Sequence, residues 1–315
     1  MAELIPIDSA LERALELLRG GEVIALPTET VYGLAGDATS GTGVARIFEA
    51  KGRPRFNPLI AHVSDWAMAE RIGDFDLLSR KLAEAFWPGP LTIVVPLRVG
   101  SGIHPLVTAG LDTIALRMPK GFASTLIAAL GHPIAAPSAN SSGKISGTSA
   151  DAVNRDLGAK IPLVVDGGQT PVGVESTIVK VENGRVRLLR PGGVAAEDIE
   201  AVAGAPVERG SGGRIEAPGM MTSHYAPAAA MRLNVDAVEP GEALLAFGPS
   251  RARGGARAVL NLSPTGDLRE AAANLFSHLR QLDAVGAATI AVEPVPFHGL
   301  GEAINDRLAR AAAPR

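Results

Sequence analysis

Short apolar runs and helix-spaced apolar stretches alternate through the N-terminal part of the chain. In Ser9–Arg19 apolar residues recur at the spacing of an amphipathic helix, and Gly20-Gly21 would end it. Val23–Leu26 is a short continuous apolar run, which is typical of a buried strand. The same signals predict strands at Leu59–Val63, Leu91–Pro96, Thr113–Leu116, Ile134–Ala136 and Leu163–Val165, and helices at Thr42–Ala50, Leu77–Phe86 and Ala123–Leu130.

A hairpin follows these elements. Val174–Val181 and Arg185–Leu189 are apolar runs that flank Asn183-Gly184, a strong signal for a tight turn between paired strands. Antiparallel pairing here, combined with buried strands that alternate with helices, predicts an α/β fold with a twisted mixed sheet.

Composition changes between residues 204 and 231. Gly210-Ser211-Gly212-Gly213 cannot build a core, so this segment is predicted to be a linker, and it ends in Ser223-His224-Tyr225-Ala226-Pro227. Beyond it, the order strand, helix, strand, helix predicts a small Rossmann-like domain, with these elements at Ala243–Phe247, Asp267–Val285, Thr289–Val292 and Ile304–Ala312. The predicted division is a first domain at 1–203, a linker at 204–231 and a second domain at 232–315.

Composition excludes several kinds of chemistry. The 315 residues include no cysteine, which rules out a thiolate nucleophile, a disulfide framework and a cysteine-bound metal. Aromatic residues make up 4% and the formal net charge is −3, so a broad aromatic or basic surface for nucleic acid is not expected. The chain has no apolar stretch of about 18 residues and no signal-peptide pattern, which predicts a cytoplasmic protein without a membrane span.

Several well-known site motifs are incomplete. Gly143-Lys144 would need glycine five residues before Gly143 to form a P-loop, and the chain has Ser138 there. Gly41-x-Gly43 is followed by Arg46 where a dinucleotide fingerprint requires glycine. The six histidines include no His-x3-His pair, which argues against zinc. A phosphate-binding site in this chain must therefore use a less common loop structure.

Four polar loops remain as candidates for a binding site. Loops at the carboxyl ends of strands in an open α/β sheet converge on the ligand crevice, so we expect these four to meet. Each is predicted to follow a strand: Pro27–Gly33, Lys51–Asn57, Pro137–Gly147 and Gly173–Ser176.

Cations and hydroxyls in and near these loops suit an anionic ligand. Lys51-Gly52-Arg53 places two cations beside a glycine, as triphosphate binding would require, although a solvated helix end explains the same pattern. Ser138-Ala139-Asn140 opens a hydroxyl-rich loop that is equally explained as a turn. Arg117 at a strand end suits a carboxylate ligand or a surface acid.

The other polar groups also have ordinary explanations. Thr28, Thr30 and Tyr32 offer hydroxyls, but caps and turns use the same residues. His62 ends an apolar strand, where a buried core histidine is common. The acids near the loops suit either Mg²⁺ or pairing with arginine: Glu29, Asp37, Asp166 and Glu175.

Six short segments occur in a specific order. They are Pro27-Thr28-Glu29-Thr30-Val31-Tyr32-Gly33-Leu34, Lys51-Gly52-Arg53-Pro54 with Asn57-Pro58-Leu59, Trp87-Pro88-Gly89-Pro90-Leu91-Thr92, Arg117-Met118-Pro119, Pro137-Ser138-Ala139-Asn140-Ser141-Ser142-Gly143 and Glu175-Ser176-Thr177-Ile178. This ordered set resembles the Sua5/YrdC/YwlC family of L-threonylcarbamoyladenylate synthases. The linker and second domain make the chain similar to the long Sua5 form rather than the short YrdC form.

The resemblance implies a fold and a reaction. It implies a strongly twisted sheet around a large concave cavity, and a nucleotidyltransferase that makes L-threonylcarbamoyl-AMP and pyrophosphate from L-threonine, bicarbonate and ATP. We expect Lys51 and Arg53 to neutralise the phosphates as pyrophosphate leaves, with Mg²⁺ assisting. The reaction needs no protein nucleophile, which fits a chain without cysteine. The product would pass to the tRNA threonylcarbamoyl-transferase machinery that modifies adenosine 37, and direct tRNA binding by this chain is not expected.

The resemblance also implies roles for particular residues. The family's conserved basic and polar tetrad, expected to be catalytic, corresponds to Lys51, Arg53, Ser138 and Asn140. Threonine contacts are expected from Thr30, His62, Arg117, Ser138 and Ser176. Nucleotide contacts are expected from Arg53, Asn57, Thr113, Ala136, Ser146, Arg190 and Tyr225.

Tyr225 is further expected to fold back over the cavity as part of a lid that shields labile intermediates. Three other interpretations remain open. The chain could be an RNA-binding factor, which its charge and few aromatics disfavour. It could be a carbamoyl transferase of hydrogenase maturation, which would need zinc-finger segments. The second domain could act separately, by orienting the linker or contacting tRNA-modification partners.

Overall fold

The computed structural model describes residues 1–210, 216–219, 223–250 and 252–314. Within these ranges the first domain is built on one large sheet. Its strands are β1 (Glu3–Pro6), β2 (Ile24–Leu26), β3 (Gly33–Asp37), β4 (Ile60–His62), β5 (Leu91–Pro96), β6 (Thr113–Arg117), β7 (Ile134–Ala135), β8 (Leu163–Asp166), β9 (Thr177–Glu182), β10 (Arg185–Arg190) and β11 (Glu208–Arg209). They lie in the order β1-β8-β2-β3-β7-β4-β6-β5-β9-β10-β11, with parallel and antiparallel neighbours interspersed. The predicted mixed sheet is confirmed.

A separate sheet forms the second domain. Its strands β12 (Ala230–Leu233), β13 (Ala243–Ala246), β14 (Val259–Asn261) and β15 (Thr289–Val292) are all parallel, in the order β12-β15-β13-β14. The predicted Rossmann-like arrangement is therefore confirmed. Sequence patterns missed β12 and β14 because both are short and each contains a polar residue, Arg232 in β12 and Asn261 in β14.

Helices cover the sheets. They are α1 (Leu11–Arg19), α2 (Gly41–Lys51), α3 (Trp66–Ile72), α4 (Leu77–Phe86), α5 (Pro105–Thr108), α6 (Phe122–Leu130), α7 (Ala150–Leu157), α8 (Ala196–Ala203), α9 (Leu268–Ala284) and α10 (Gly301–Ala312). In the described part of the chain, none is both long and apolar enough to cross a membrane.

Helix α2 ends at Lys51, the first of the two cations in the Lys51–Arg53 segment. Ser40 caps its N-terminus by accepting a hydrogen bond from the Gly43 amide (3.2 Å). Lys51 is its last residue, and Gly52 turns the chain in a left-handed conformation (φ 62°). The Lys51–Asn57 loop thus follows a helix, and the prediction that it follows a strand is wrong.

Strand β3 shows why some predicted bounds differ from the structure. Its sequence, Gly33-Leu34-Ala35-Gly36-Asp37, lacks the β-branched residues that mark strands, yet every residue is buried. A Cβ added to Gly36 would lie 3.0 Å from the Gly43 carbonyl oxygen, so the small residue lets α2 pack closely. Local propensity therefore underestimates this strand, since tertiary packing decides it.

The Asn183-Gly184 turn forms as predicted, with positive φ at both residues and β9 paired antiparallel to β10. Strand β9 begins only at Thr177, because Val174–Ser176 belongs to a loop. That loop is one of the four predicted to reach the binding site.

In its described residues, the predicted linker contains the short strand β11 and the start of β12. Strand β11 lies inside it and pairs in parallel with β10, so Glu208 and Arg209 extend the large sheet. Two parts of the linker prediction, residues 211–215 and 220–222, lie outside the described residues.

The hydrophobic core of the second domain extends into the first. It contains Phe276 and Leu279 of α9, and it also includes Val31, Ile145 and Val174 from loops of the first domain. Tyr225 from the predicted linker packs into the same cluster, with its ring stacked 5.5 Å from that of Phe276. The two domains therefore share apolar packing beside these loops.

We predict that two leucines of α4 differ sharply in their contribution to stability. Leu82 is 0% exposed and Leu77 is 90% exposed. Leu82→Ala should lower the free energy of unfolding by about 2–5 kcal/mol, because it removes buried contacts and leaves a cavity. Leu77→Ala on the same helix should change it by less than about 0.5 kcal/mol.

Tryptophan fluorescence during urea unfolding measures this directly. The ring centroids of Trp66 and Trp87 lie 5.7 Å apart, and Trp87 directly follows helix α4. Equal losses for the two substitutions would contradict the assigned core.

Candidate active site

Lys51 holds the backbone of the loop that follows β7. Its side chain is buried, and Nζ donates to the carbonyl oxygens of Ser138 (2.6 Å) and Asn140 (2.5 Å). Burial, together with the charge of Arg53, lowers the pKa of Lys51 to about 7. A solvated helix end is therefore the wrong interpretation for Lys51, since its ammonium faces protein carbonyls.

Arg53 shapes its own loop and faces a cavity. Nε donates to the Asn57 carbonyl (3.2 Å) and Nη2 to the Pro58 carbonyl (2.8 Å). Burial lowers the pKa of Arg53 to about 10. The guanidinium is thus held in place by main-chain acceptors, and no carboxylate in the described part of the chain is bonded to it.

The loop after β7 is ordered by its own polar side chains. Asn140 Nδ2 donates to the carbonyls of Ser141 (2.8 Å) and Lys144 (2.9 Å). Lys144 is largely exposed and lies 3.4 Å from Asp156, so it pairs with an acid at the surface. Ser138 lines the cavity, whereas Asn140 supports the loop from behind.

Arg117 stands at one wall of the cavity. Nη1 donates to Thr30 Oγ1 (3.0 Å), Nε donates to the Gly89 carbonyl (3.2 Å), and Nη2 lies 2.7 Å from Glu29 Oε1. His62 lies beside it, and burial together with the Arg117 charge lowers the pKa of His62 to about 3. This wall presents one cation, a hydroxyl and a neutral imidazole.

Arg190 forms a second cationic part of the wall. Nη2 donates to the carbonyl (2.8 Å) and hydroxyl (3.2 Å) oxygens of Ser176. Burial lowers the pKa of Arg190. The Ser176 hydroxyl also lies 2.7 Å from Thr92 Oγ1, so β5 and β10 jointly position it.

Glu175 connects the cavity lining to Ser146, which lies in the loop that follows β7. Its Oε1 accepts a hydrogen bond from Ser146 Oγ (2.5 Å), and its Oε2 accepts one from Arg307 Nε of α10 (3.0 Å). Burial raises the pKa of Glu175, but the charges of Arg307 and Arg190 outweigh it, and the pKa lies below its ordinary value.

A covering segment, which we call the strap, closes the cavity. We define the strap as residues 216–219 and 223–227. Arg190 Nη1 contacts the Pro218 carbonyl (3.4 Å), and Ala226 N donates to the Gly143 carbonyl (2.9 Å). Tyr225 has a positive φ of 63° and is fully buried against the cavity. Beneath the strap the cavity retains a volume of about 40 Å³.

The cavity brings together most of the predicted site residues. Those that line it are Thr30, Arg53, His62, Arg117, Ala136, Ser138, Ser176, Arg190 and Tyr225. Behind this lining, Lys51, Asn57 and Ser146 contact members of it, and Asn140 holds the Ser141 and Lys144 carbonyls of the loop that carries Ser138. Their substrate roles stay predictions.

The structure does not bring Thr113 to this cavity. Thr113 begins β6 opposite Pro96, whereas Arg117 at the other end of β6 faces the cavity. Four residues of extended strand separate their Cα atoms by about 13 Å. The predicted nucleotide contact at Thr113 stays a prediction. It would have to involve a part of the nucleotide that lies outside this cavity.

Two arginines of the second domain were missed by sequence reasoning. Arg307 reaches Glu175, and Arg280 Nη2 donates to the Ser146 carbonyl (2.8 Å). A signal existed for Arg307, because it lies between Ile304 and Leu308 on the apolar face of α10, where a charge requires a partner.

The acids near the loops serve as partners of other protein groups. Glu29 pairs with Arg117, Glu175 with Arg307, and Asp37 Oδ2 lies 3.0 Å from His132 Nδ1. Among the described residues, no group of three His, Asp or Glu side chains is placed to hold a metal ion.

The fold and the site define an α/β protein with an enclosed, cationic ligand cavity. Residues 16–192 match the Sua5/YciO/YrdC family profile, described as "Telomere recombination". Residues 194–313 match the profile described as "Threonylcarbamoyl-AMP synthase, C-terminal domain". The chain belongs to the Sua5/YciO/YrdC family, and the second match confirms the predicted similarity to its long, two-domain form.

Named relatives match along the whole chain. The threonylcarbamoyl-AMP synthase of Bacillus subtilis (strain 168) is 40% identical over 335 residues, which cover 99% of this chain and 96% of that protein. The enzyme of the same name from Pyrococcus abyssi is 41% identical and covers 96% and 94%. The crystal structure of P. abyssi Sua5 complexed with L-threonine superimposes with a TM-score of 0.90, at 37% identity over 99% of this chain and 98% of that one.

We predict that Lys51 makes stability depend on pH. Its pKa falls from 10.5 to about 7 on folding, so between these values the unfolded chain binds more protons. The contribution of Lys51 to stability therefore rises with pH in this window. The free energy of unfolding of the wild type, minus that of Lys51→Met, should increase from pH 7 to pH 9.5, by up to about 1.4 kcal/mol per pH unit.

Urea titrations across this pH range test the prediction, with Lys144→Met as the control at an exposed lysine. Parallel pH profiles for the wild type and Lys51→Met would show that the Lys51 ammonium is not a buried charge.

Proposed function

We propose that this chain is an L-threonylcarbamoyl-AMP synthase, which joins L-threonine, CO2 or bicarbonate, and ATP, and releases pyrophosphate. Full-length similarity to synthases of this name supports the proposal, as does the related Sua5 structure that holds L-threonine. The observation that carries it is the enclosed cavity onto which Arg53, Arg117 and Arg190 all face. The substrates bring a carboxylate, a carbamate and a triphosphate, and buried guanidiniums suit anionic groups of this kind.

The Arg117 wall suits the amino acid. A guanidinium can bind the threonine carboxylate with two parallel hydrogen bonds. Thr30 Oγ1 already bonds to this guanidinium, and neutral His62 stands beside it. The two side chains can recognise the threonine hydroxyl, which favours threonine over an isosteric apolar side chain.

The wall formed by Arg53 and Arg190 suits the nucleotide. Burial lowers the pKa of Arg53, and the positive charge of Arg190 lowers it further. A bound polyphosphate would place negative charge beside these guanidiniums and offset both effects. Lys51 acts indirectly, because its ammonium fixes the Ser138 loop against which the phosphates would lie.

The reaction then proceeds without a covalent enzyme intermediate. The amine of threonine adds to CO2 and loses a proton, which gives a carbamate. A carbamate oxygen attacks the α-phosphorus of ATP, the bond to the bridging oxygen of the β-phosphate breaks, and pyrophosphate leaves. The protein contributes orientation and positive charge at the developing pyrophosphate.

Magnesium fits this proposal as part of the nucleotide substrate. Mg²⁺ is commonly held by substrate phosphates with few protein carboxylates. Glu29 and Glu175 both engage arginines, so the described residues provide no dedicated cage. We propose that the ion enters and leaves with the polyphosphate.

Substrate entry requires the strap to move. A cavity of about 40 Å³ is far smaller than the roughly 300–1,000 Å³ of ordinary ligand pockets. Displacement of the strap would open the site, and its return would exclude water from a labile carbamate and anhydride.

The product is a mixed anhydride of a carbamate and AMP, an activated threonylcarbamoyl donor. We propose that a tRNA threonylcarbamoyl-transferase consumes it to modify adenosine 37 in the cytoplasm. The tRNA need not touch this chain, since the activated group is complete before transfer.

Pyrophosphate release tests the function. The wild-type protein is incubated with ATP, Mg²⁺ and bicarbonate, with L-threonine, L-valine, L-serine or no amino acid. Release that depends on both threonine and bicarbonate supports the proposal. Release without amino-acid preference, or none at all, would refute it.

We predict that two arginines of one loop behave oppositely. Arg53 faces the cavity, whereas Arg55 is exposed two residues later. Arg53→Ala should reduce turnover by about 100-fold or more, in line with losses of comparable electrostatic donors. Arg55→Ala should keep turnover within about twofold, as a surface substitution away from the cavity. Steady-state pyrophosphate assays compare them, and equal activities would remove Arg53 from the proposed site.

A further inference from the structure

Arg307 is a buried cation that the proposed chemistry does not use. It lies on α10 of the second domain and is fully buried. Nε donates to Glu175 Oε2 (3.0 Å), and Nη1 donates to the Pro191 carbonyl (2.8 Å) and to Asp306 Oδ2 (2.7 Å). An arginine in the second domain thus bonds to a carboxylate that lines the cavity of the first.

The same guanidinium supports the strap. Its central carbon lies 5.2 Å from the centroid of the Tyr225 ring, and Nη2 has no hydrogen-bond partner among the described residues. The guanidinium therefore lies over the face of the Tyr225 ring, as in a cation–π interaction. Tyr225 also stacks against Phe276 of α9, and their ring centroids lie 5.5 Å apart.

Further contacts from the second domain converge on the same place. The Arg310 carbonyl accepts a hydrogen bond from the His224 amide (3.2 Å), so α10 also holds the residue before Tyr225. Arg280 of α9 donates to the Ser146 carbonyl (2.8 Å), and Ser146 Oγ donates to Glu175. Helix α9 therefore contacts both the strap and Ser146, and helix α10 contacts the strap and the Glu175 carboxylate that Ser146 bonds to.

We propose that Arg307 is a positioning residue, which couples the closed conformation of the strap to the nucleotide end of the cavity. This inference rests on the proposed function and assigns the second domain a part in it. One guanidinium fixes Glu175, and through it Ser146, while its face supports Tyr225. The nucleotide end is complete only when α10 is docked.

The physical reason is that both partners depend on one charge. A buried carboxylate left without its cation carries a large desolvation cost, so Glu175 would reorient without Arg307. Tyr225 would lose its cation–π contact at the same time. The threonine end depends on Arg117 and Glu29, which Arg307 does not contact, so the loss should be selective.

The test compares Arg307→Met with Arg209→Met. Arg209 also links the domains, since its Nε and Nη2 lie 2.7 and 2.9 Å from the carboxylate of Glu302 on α10, but that pair is exposed and lies outside the cavity lining. Arg209→Met removes an interdomain ion pair on the same helix and serves as the matched control. Arg307→Lys keeps the charge and loses the planar group.

Three readouts are used with the full-length protein. The Kd of α,β-methylene-ATP and the Kd of L-threonine are measured by calorimetry, and KM and kcat by pyrophosphate release. The chain has two tyrosines, so fluorotyrosine labelling gives two ¹⁹F resonances. Tyr32 reports on the fold of the first domain and Tyr225 on the strap.

Arg307→Met should weaken binding of α,β-methylene-ATP by about tenfold or more, as loss of one member of a buried charge pair does. Its Tyr225 resonance should shift, while the Tyr32 resonance and the Kd of threonine stay nearly unchanged. KM for ATP should rise more than kcat falls. Arg307→Lys should lie between wild type and Arg307→Met, and Arg209→Met should match wild type.

Equal nucleotide affinity and an unshifted Tyr225 resonance in Arg307→Met would overturn the proposal. If Arg307→Met loses the Tyr32 resonance through unfolding, Arg307→Lys decides, and a lysine variant identical to wild type in both readouts would overturn it. The binding and ¹⁹F measurements need no turnover. A wild type without threonine-dependent pyrophosphate release would refute the proposed function, while selective loss of the ATP analogue would still support the positioning role.

Discussion

Four cationic side chains are buried around one cavity, and the surrounding structure is arranged to keep them there. Lys51 and Arg53 are held by main-chain carbonyls, and Arg190 by the carbonyl and hydroxyl of Ser176. Arg117 also has a carboxylate, that of Glu29. Burial lowers the pKa of Lys51, Arg53 and Arg190, so the cavity stores an excess of positive charge that an anionic substrate would relieve.

This constraint explains why the site needs parts from the whole molecule. The loops that hold the cations belong to the first domain, but the strap that covers them also depends on contacts with the second domain. Tyr225 packs between Phe276 and Arg307 of the second domain, and the strap amide at Ala226 bonds to Gly143 of the first. Because both domains hold the strap, a closed site requires the docked arrangement of both.

Much of this could be predicted from the sequence. Continuous apolar runs indicated most central strands, since such strands are buried on both faces, and Asn183-Gly184 indicated the hairpin. The ordered motifs indicated the family, because each combines turn residues with polar groups at a set spacing. The resemblance in turn indicated nine residues that line the cavity.

The remainder depended on packing between distant segments. Strand β3 is rich in glycine because α2 packs closely on it, and β12 and β14 are short and half-exposed, so local propensity marks none of them. Thr113 belongs to the same strand as Arg117, but strand length carries it away from the cavity. The partners of Glu175 could not be inferred, because Ser146 and Arg307 are far from it in sequence and meet it only in the folded molecule.

The fate of carbon from bicarbonate tests the central claim most directly. The protein is incubated with ¹³C-bicarbonate, L-threonine and Mg-ATP, and the products are identified by ¹³C and ³¹P NMR and by mass spectrometry. We predict one equivalent of ¹³C in a carbamoyl carbon bonded through oxygen to the phosphorus of AMP, together with an equal amount of pyrophosphate. Pyrophosphate formed with unlabelled threonyl-AMP, or ATP cleavage without incorporation of ¹³C, would contradict it.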